Sequence, residues 1–285
     1  MSPPAKTPSQ ILISAEQLAA RLDAPDLLLV DTRFKLEDTA YGRAAYDSGH
    51  IPGAVYMDLD RDLSSPIVPG ETGRHPLPDP AVLEARLREI GLRKADQVII
   101  YDDGPGVYPS RLWWLLNWLG HTNVLVLDGG LAAWKTAGLA LSADVRVRPW
   151  PSDFVACPDN SLLVSARDLL QGDAGLQLLD ARAPERFRGE IEPIDPVAGH
   201  IPGARCFPFG ANLGADGLWL TADLLRARFP LLEPGQLRVC YCGSGVTACH
   251  NILAAVLAGL PMPKLYAGSW SEWIVDPSRP VATGD

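Results

Sequence analysis

Gly49-His-Ile-Pro-Gly-Ala54 returns without change as Gly199-His-Ile-Pro-Gly-Ala204 in the second half of the chain. Three further pairs of similar segments keep the same order in both halves. They are Leu28–Arg33 with Leu178–Arg182, Val98–Asp102 with Leu237–Cys242, and Gly129–Trp134 with Gly268–Trp273. A collinear set of four matches indicates two copies of one domain, because a chance identity would not bring its neighbours with it.

Each copy alternates short apolar runs with longer segments of helical pattern. In the first copy the predicted strands are Leu27–Asp31, Gln97–Asp102 and Asn123–Leu127, and the predicted helices are Asp79–Gly91, Ser110–Leu119 and Leu131–Thr136. Strands that are apolar on both faces are typical of a buried parallel sheet, and helices between them serve as crossovers. We therefore predict an α/β fold of two tandem domains, each a mainly parallel sheet flanked by helices on both faces.

The alternation stops between Leu141 and Asn160, where three prolines stand among residues of mixed charge. A stretch of this composition between two repeats is typical of a linker. We predict an N-terminal domain over residues 9–139, a linker over residues 140–156 and a C-terminal domain over residues 157–285.

The composition excludes several classes of protein. Of the 285 residues 47% are hydrophobic and 21% are charged, as in ordinary globular domains, and the net charge is −9. This acidic balance argues against nucleic acid or an anionic membrane surface as a partner. No run approaches the roughly 18 apolar residues of a membrane span, and the first ten residues lack the apolar core of a signal peptide. We expect a short unstructured lead and a cytoplasmic location; the sequence carries no signal for an oligomeric state.

The cysteines do not form a disulfide framework. Five are present, which is an odd number, and three of them lie within ten residues. They are Cys157, Cys206, Cys240, Cys242 and Cys249. We interpret them as reduced thiols, of which at least one has a chemical role.

Cys242 lies between the predicted strand Leu237–Tyr241 and a glycine-rich loop that leads into the apolar helical run Ala248–Leu260. A strand, a tight loop and a helix N-terminus in this order form an anion site, because loop N–H groups can turn inward and the helix dipole adds positive potential. A thiol there is expected to exist largely as thiolate, and the same N–H groups would hold the sulfur of a persulfide. The loop residues predicted to bind substrate in this way are Gly243, Ser244, Gly245, Val246 and Thr247.

The alternative for Cys242 is an inert strand cysteine followed by an ordinary turn. Core packing is the favoured interpretation of Cys240, and Cys249 and His250 are interpreted as packing and surface residues. A zinc site built from these four side chains is disfavoured, because one residue separates the first two cysteines and the other two ligands are adjacent on a helix. The sequence thus predicts no metal site.

The loop Cys242-Gly-Ser-Gly-Val-Thr-Ala248 resembles the active-site loop of the tandem-domain rhodanese family, in particular its 3-mercaptopyruvate sulfurtransferases. The two Gly-His-Ile-Pro-Gly-Ala segments and Gly73-Arg-His-Pro-Leu-Pro78 are also similar to that family. The resemblance implies that Cys242 takes a sulfane sulfur from 3-mercaptopyruvate or thiosulfate as a persulfide and passes it to cyanide or a thiol. It also implies that no metal or organic cofactor takes part.

Such donors are small anions, so a cation is expected to face the loop. Arg186 lies where the family places a substrate-binding arginine, and its planar fork suits a carboxylate. An exposed ion pair is the other interpretation of Arg186, and Arg188 is the second candidate. Asp195 departs from the family, which often has another arginine there; its carboxylate would repel the donor unless it points away. The loop in turn lacks the basic residue that favours thiosulfate, so the choice of donor stays open.

The first copy has Asp102 at the position of Cys242, and an aspartate cannot carry a persulfide. The resemblance likewise implies a non-catalytic N-terminal domain. A metal site at Asp102 and Asp103 is disfavoured, because adjacent side chains diverge. We interpret His50 and His200 as parts of structural turns. The tryptophans Trp113, Trp114 and Trp118 are interpreted as core or interdomain packing.

Two other functions are weighed against sulfur transfer. A cysteine-dependent phosphatase needs an arginine about six residues after its cysteine, and Ala248 stands there. A non-catalytic binding or regulatory protein is disfavoured because the Cys242 loop is intact.

Overall fold

The computed structural model describes residues 11–145, 148, 151–171 and 175–285, and these form two compact units. The first unit holds the described residues up to Leu63 together with Pro78–Asp159 and Gly214–Trp219. The second holds Ser64–Leu77, Asn160–Leu213 and Leu220–Asp285. The expected unstructured lead, the start of the N-terminal domain at residue 9 and four residues of the predicted linker lie outside the described residues. The domain boundaries remain a prediction.

The first unit is an α/β structure around a parallel sheet. Its elements are β1 Leu12–Ile13, α1 Ala15–Ala19, β2 Leu27–Asp31, α2 Tyr41–Ser48, β3 Val55–Tyr56, α3 Pro80–Glu89, β4 Gln97–Tyr101, α4 Val107–Trp118, β5 Val124–Leu127 and α5 Gly130–Thr136. The strand order is β1-β5-β4-β2-β3, with every neighbouring pair parallel.

The second unit repeats this plan. Its elements are α6 Ala166–Leu170, β6 Leu176–Asp180, α7 Pro184–Phe187, β7 Arg205–Cys206, α8 Ala222–Arg228, β8 Leu237–Tyr241, α9 Thr247–Leu257, β9 Lys264–Leu265 and α10 Ser269–Trp273, with 3-10 turns at Asn160–Leu162 and Phe209–Asn212. The parallel order β7-β6-β8-β9 matches β3-β2-β4-β5 of the first unit. The predicted fold of two similar, mainly parallel α/β halves is confirmed.

The element bounds differ from the prediction mainly at helix ends. The helix predicted to start at Ser110 begins at Val107, because Gly106 adopts a φ of +75° and turns the chain into the helix early. The helix predicted over Ala248–Leu260 ends at Leu257, two residues before Gly259, whose φ of +69° stops it.

The repeated Gly-His-Ile-Pro-Gly-Ala turn is fastened by a buried arginine. In the second unit the Arg182 guanidinium pairs with Asp180 at 2.6 Å and donates to the carbonyl of Gly199 at 2.7 Å. The first unit makes the same bonds with Arg33, Asp31 and Gly49. His50 and His200 are buried and hydrogen bonded through Nδ1 to backbone carbonyls at 2.8 Å, which is the structural role expected of them.

The three tryptophans predicted to have a packing role lie on α4 in the first unit. Trp113, Trp114 and Trp118 are all buried, and the rings of the last two stack with centroids 5.9 Å apart. Burial of such large side chains stabilises this helix against the sheet. Among the helices that the structure describes, none combines the length and the apolar character needed to cross a membrane.

Candidate active site

Cys242 comes directly after β8, a strand that pairs with β6 on one side and β9 on the other. Its backbone N–H donates to Ser269 Oγ at 3.1 Å, and its carbonyl accepts from the N–H of Trp270 at 2.9 Å. Both partners belong to the start of α10, so two elements fix the backbone at this position. The side chain is 2% exposed.

The loop directs the amide of Gly245 at the sulfur. Its N–H donates to Cys242 Sγ at 3.1 Å, and its φ is +79°. A Cβ at this position would lie 2.4 Å from the carbonyl oxygen of Ala267, so a side chain cannot be accommodated without displacing backbone. The helix α9 starts two residues later at Thr247, and its dipole adds positive potential at the loop. At least one backbone N–H of the predicted anion site therefore donates a hydrogen bond to the Cys242 sulfur.

Two arginines lie beside the next residue of the loop. A Cβ placed on Gly243 would lie 2.8 Å from Arg74 Nη2 and 3.7 Å from Arg186 Nη1. Arg186 is thus close to the loop, where the resemblance places a substrate-binding arginine. Arg74 comes from residues 64–77, and the sequence interpretation did not identify it. Arg188, the other candidate, pairs with Glu190 at 2.7 Å.

Two carboxylates hold these arginines. Asp195 Oδ2 accepts from Arg186 at 3.0 Å and its Oδ1 pairs with Arg74, while Glu192 binds Arg186 through Nε at 3.1 Å and Nη2 at 2.7 Å. Burial raises the pKa of the Asp195 carboxyl despite both arginines. Burial also acts to raise the pKa of Glu192, but the hydrogen bonds from Arg186 and from backbone N–H groups outweigh it and lower that pKa. Asp195 is therefore paired with both arginines, an arrangement that the sequence interpretation did not consider.

A histidine is hydrogen bonded to the loop serine. His75 Nδ1 lies 2.7 Å from Ser244 Oγ, and both side chains are buried. Ser244 was predicted as a loop residue that contributes its amide, whereas its hydroxyl and His75 were not expected to form a pair. The Ser244 hydroxyl, two residues after Cys242, is hydrogen bonded to the His75 imidazole, and such a pair can deliver or accept a proton at this site.

The other cysteines are embedded in the second unit. Cys240 is fully buried, as the core interpretation expects, and burial raises the pKa of its thiol well above the ordinary value. Cys249 and His250 were interpreted as packing and surface residues. Both are fully buried on α9, so the packing interpretation is confirmed and the surface interpretation is wrong. Within the described part of the chain, no three or more His, Cys, Asp or Glu side chains are grouped as metal ligands.

The corresponding loop of the first unit is filled by its own carboxylate. Asp102 Oδ1 accepts from the N–H groups of Gly104 at 2.9 Å and Gly106 at 3.0 Å, while Oδ2 is buried without a hydrogen-bond partner in the described residues. Burial raises the pKa of Asp102 to about 6, against the opposing effect of hydrogen bonds from the backbone. The amides of this loop are therefore occupied by the protein itself.

This pKa predicts a pH-dependent gain in stability from Asp102→Asn. The folded pKa lies above the ordinary 3.8, so the stability that the protonated group contributes is complete below about pH 4 and lost as the pH rises through about 6. We expect the variant to raise the free energy of unfolding by on the order of 2–3 kcal/mol at pH 7.5 and to change it little at pH 4. Urea unfolding at the two pH values measures this, with Asp103→Asn as the neighbouring control. An equal gain at both would contradict it.

The structure thus brings together most of the predicted site residues. One continuous loop contains Cys242, Gly243, Ser244 and Gly245, and Arg186 lies beside Gly243. The loop continues through Val246 to Thr247, where α9 begins. The two side chains that the sequence interpretation missed are Arg74 and His75. Both lie in Gly73-Arg-His-Pro-Leu-Pro78, and the resemblance of this segment to the same family as the Cys242 loop was the signal that could have identified them.

Comparison with known proteins points in the same direction. The family model described as a rhodanese-like domain matches residues 14–137 and again residues 164–276. A probable 3-mercaptopyruvate sulfurtransferase of Pseudomonas aeruginosa is 60% identical, over 96% of this chain and 98% of that protein. A putative thiosulfate sulfurtransferase of Mycobacterium tuberculosis is 42% identical, over 96% and 98%. The solved structure of the 3-mercaptopyruvate sulfurtransferase from Leishmania major is 31% identical with a TM-score of 0.80, covering 94% of this chain and 75% of that one.

Proposed function

We propose that this chain, which belongs to the rhodanese family, transfers a sulfane sulfur from 3-mercaptopyruvate to a thiol through a persulfide on Cys242. The predicted family and the predicted sulfurtransferase class of enzyme are confirmed. The observation that carries the assignment of the nucleophile is the Gly245 N–H, which donates to Cys242 Sγ at the start of α9.

The reaction follows from the groups around the sulfur. The Cys242 thiolate attacks the sulfur of 3-mercaptopyruvate, a sulfur–sulfur bond forms, and the carbon–sulfur bond breaks with its electron pair remaining on carbon. The leaving group is the enolate of pyruvate, which takes up one proton to become pyruvate. The Ser244–His75 pair is suitably placed to relay that proton, and the Gly245 amide stabilises negative charge on Cys242 Sγ. Attack by an acceptor thiolate on the outer sulfur then regenerates the Cys242 thiolate.

The charges favour 3-mercaptopyruvate over thiosulfate. Arg74 and Arg186 supply two positive charges, and Asp195 and Glu192 offset both. A carboxylate brings one further negative charge to this balanced group, whereas thiosulfate brings two. The P. aeruginosa relative carries the mercaptopyruvate name and the M. tuberculosis relative the thiosulfate name. Thiosulfate is therefore the second candidate donor, to be compared through kcat/KM in one assay.

A sulfurtransferase requires a sulfur donor and a thiol acceptor, and within that requirement we propose a small anionic donor and either a small thiol or cyanide as acceptor. The loop occupied by Asp102 supports a non-catalytic role for the N-terminal domain. The acidic net charge argues against a nucleic-acid partner. Reduced cysteines are typical of cytoplasmic proteins, so we expect a cytoplasmic location.

The test is to trap the persulfide. Incubation with 3-mercaptopyruvate is expected to add about 32 Da, the mass of one sulfur atom, to the peptide that contains Cys242. A thiol or cyanide should then remove the added mass. Alkylation before digestion keeps the modified position. Trypsin leaves Cys240, Cys242 and Cys249 in one peptide, residues 239–264, so fragmentation of that peptide in the mass spectrometer assigns the added sulfur to one of the three. An unmodified Cys242 in protein that turns over the donor would contradict the assignment.

A further inference from the structure

Arg74 reaches the Cys242 loop from a segment far away in the sequence. Its backbone N–H donates to Ser271 Oγ at 3.1 Å, and the N–H of Ser271 donates to the carbonyl of Gly243 at 2.9 Å. The preceding Gly73 allows this approach, because a Cβ there would lie 2.6 Å from the carbonyl oxygen of Gly268. The backbone of Arg74 is therefore tied to α10 beside the residue that follows the nucleophile.

The guanidinium of Arg74 keeps hydrogen-bonding capacity at this position. Its Nη1 pairs with Asp195, its Nε is buried without a partner among the described residues, and its Nη2 faces Gly243. Arg186 is arranged similarly. Its Nη1 and Nη2 both lie 3.7 Å from the position of a Cβ on Gly243, and Glu192 and Asp195 bind Nε and Nη2 but not Nη1. Asp195 gives one oxygen to each arginine and thereby holds the two forks side by side.

We propose that Arg74 is a second donor-binding residue: its Nη2 and Arg186 Nη1 together bind the carboxylate of a mercapto-keto-acid, and Asp195 positions both guanidiniums. The inference rests on the proposed function. Two N–H groups from separate arginines match the two oxygens of a planar carboxylate. Asp195 and Glu192 together offset both positive charges, so a monoanionic group adds less unpaired negative charge to the site than a dianion does.

The first experiment removes the Arg74 guanidinium. Arg74→Gln is expected to raise the KM for 3-mercaptopyruvate about 10- to 100-fold with kcat little changed, because the lost interaction holds a part of the donor that does not react. Mercaptoacetone, which lacks the carboxylate, should be used by the variant and the wild type at rates within about twofold. The exposed Arg167→Gln variant of the same unit controls for loss of a positive charge.

The outcomes separate the two claims. An equal loss with both donors would make Arg74 a structural residue, and an unchanged KM would remove it from the donor site; either result overturns the inference. In both cases the wild type would still form the Cys242 persulfide. Failure of the proposed function would show instead as a wild-type protein that forms no persulfide with any donor.

The second experiment tests Asp195. Asp195→Asn leaves one positive charge of the arginine pair uncompensated, so the ratio of kcat/KM for thiosulfate to that for 3-mercaptopyruvate is expected to rise about tenfold. Arg74→Lys keeps the charge without the fork and should give a KM for 3-mercaptopyruvate between those of the wild type and Arg74→Gln. An unchanged donor ratio in Asp195→Asn would overturn the positioning and charge role of this carboxylate.

Discussion

Cys242→Ser is expected to lower kcat/KM for sulfur transfer by more than about a thousandfold, because a serine hydroxyl stays protonated near neutral pH and cannot carry a sulfane sulfur. The fold should tolerate the change. The side chains are nearly the same size, and serine oxygen can still accept the hydrogen bond that Cys242 Sγ takes from the N–H of Gly245. Steady-state release of pyruvate from 3-mercaptopyruvate measures the effect, with the melting temperature expected to stay within about 5 °C of the wild type.

Cys249→Ser is the matched control, because Cys249 is also fully buried in the same unit and its thiol donates to the carbonyl of Gly245 at 3.3 Å, a bond that serine can replace. We expect this variant to retain activity within about threefold of the wild type. Equal losses of activity in both variants would show that the assay reports structural damage around the loop rather than loss of a nucleophile. Retained activity in Cys242→Ser would move the chemistry to another residue.

Local patterns were enough to predict the fold and to single out the Cys242 loop as the candidate site. Strands and helices alternate in each copy. Because the two copies are similar in sequence, the strands β2, β4 and β5 of the first unit indicate equivalent strands in the second, which are β6, β8 and β9. The Cys242 loop is a continuous stretch whose glycines mark where the backbone must turn. The residue types of this stretch are adjacent in sequence and so could be recognised without knowing Ser269 and Trp270, which hold its backbone from α10.

The side chains proposed to act on the donor depend on contacts between distant positions. His75 and Ser244 are 169 positions apart, and the backbone of Arg74 contacts Ser271, which is 197 positions away. A pattern that repeats within one domain does not reveal that residues 64–77 pack with the second unit. The sequence therefore showed similarity in this segment without showing what it touches.

Asp195 illustrates how a partner changes the meaning of a residue. Considered alone beside an anionic donor, a carboxylate is repulsive. Placed between Arg74 and Arg186, it offsets their charge and fixes their orientation. The sign of its contribution is decided by Arg74, which sequence spacing did not associate with it.

Gly245→Ala is expected to reduce kcat/KM by at least about a hundredfold, the usual loss when a single amide donor is withdrawn from a developing negative charge. The positive φ of +79° strains any residue with a Cβ, and the added methyl group would lie 2.4 Å from the carbonyl oxygen of Ala267. The loop must therefore move, and its N–H moves away from Cys242 Sγ. Pyruvate release measures the activity, and trapping with a limiting amount of iodoacetamide measures how readily Cys242 reacts.

Gly235→Ala separates backbone strain from displacement of the loop. Gly235 has a φ of +85° in the same unit, but nothing lies within 4 Å of the position its Cβ would take. This control should lose about 1–2 kcal/mol of stability from the left-handed backbone alone and keep its activity. Gly245→Ala should lose more stability than the control and lose the fast alkylation of Cys242 as well. If Gly245→Ala were less stable than the control, and yet as active and as readily alkylated at Cys242, the Gly245 amide would have no role at the sulfur, because the loop would have moved without affecting the reaction.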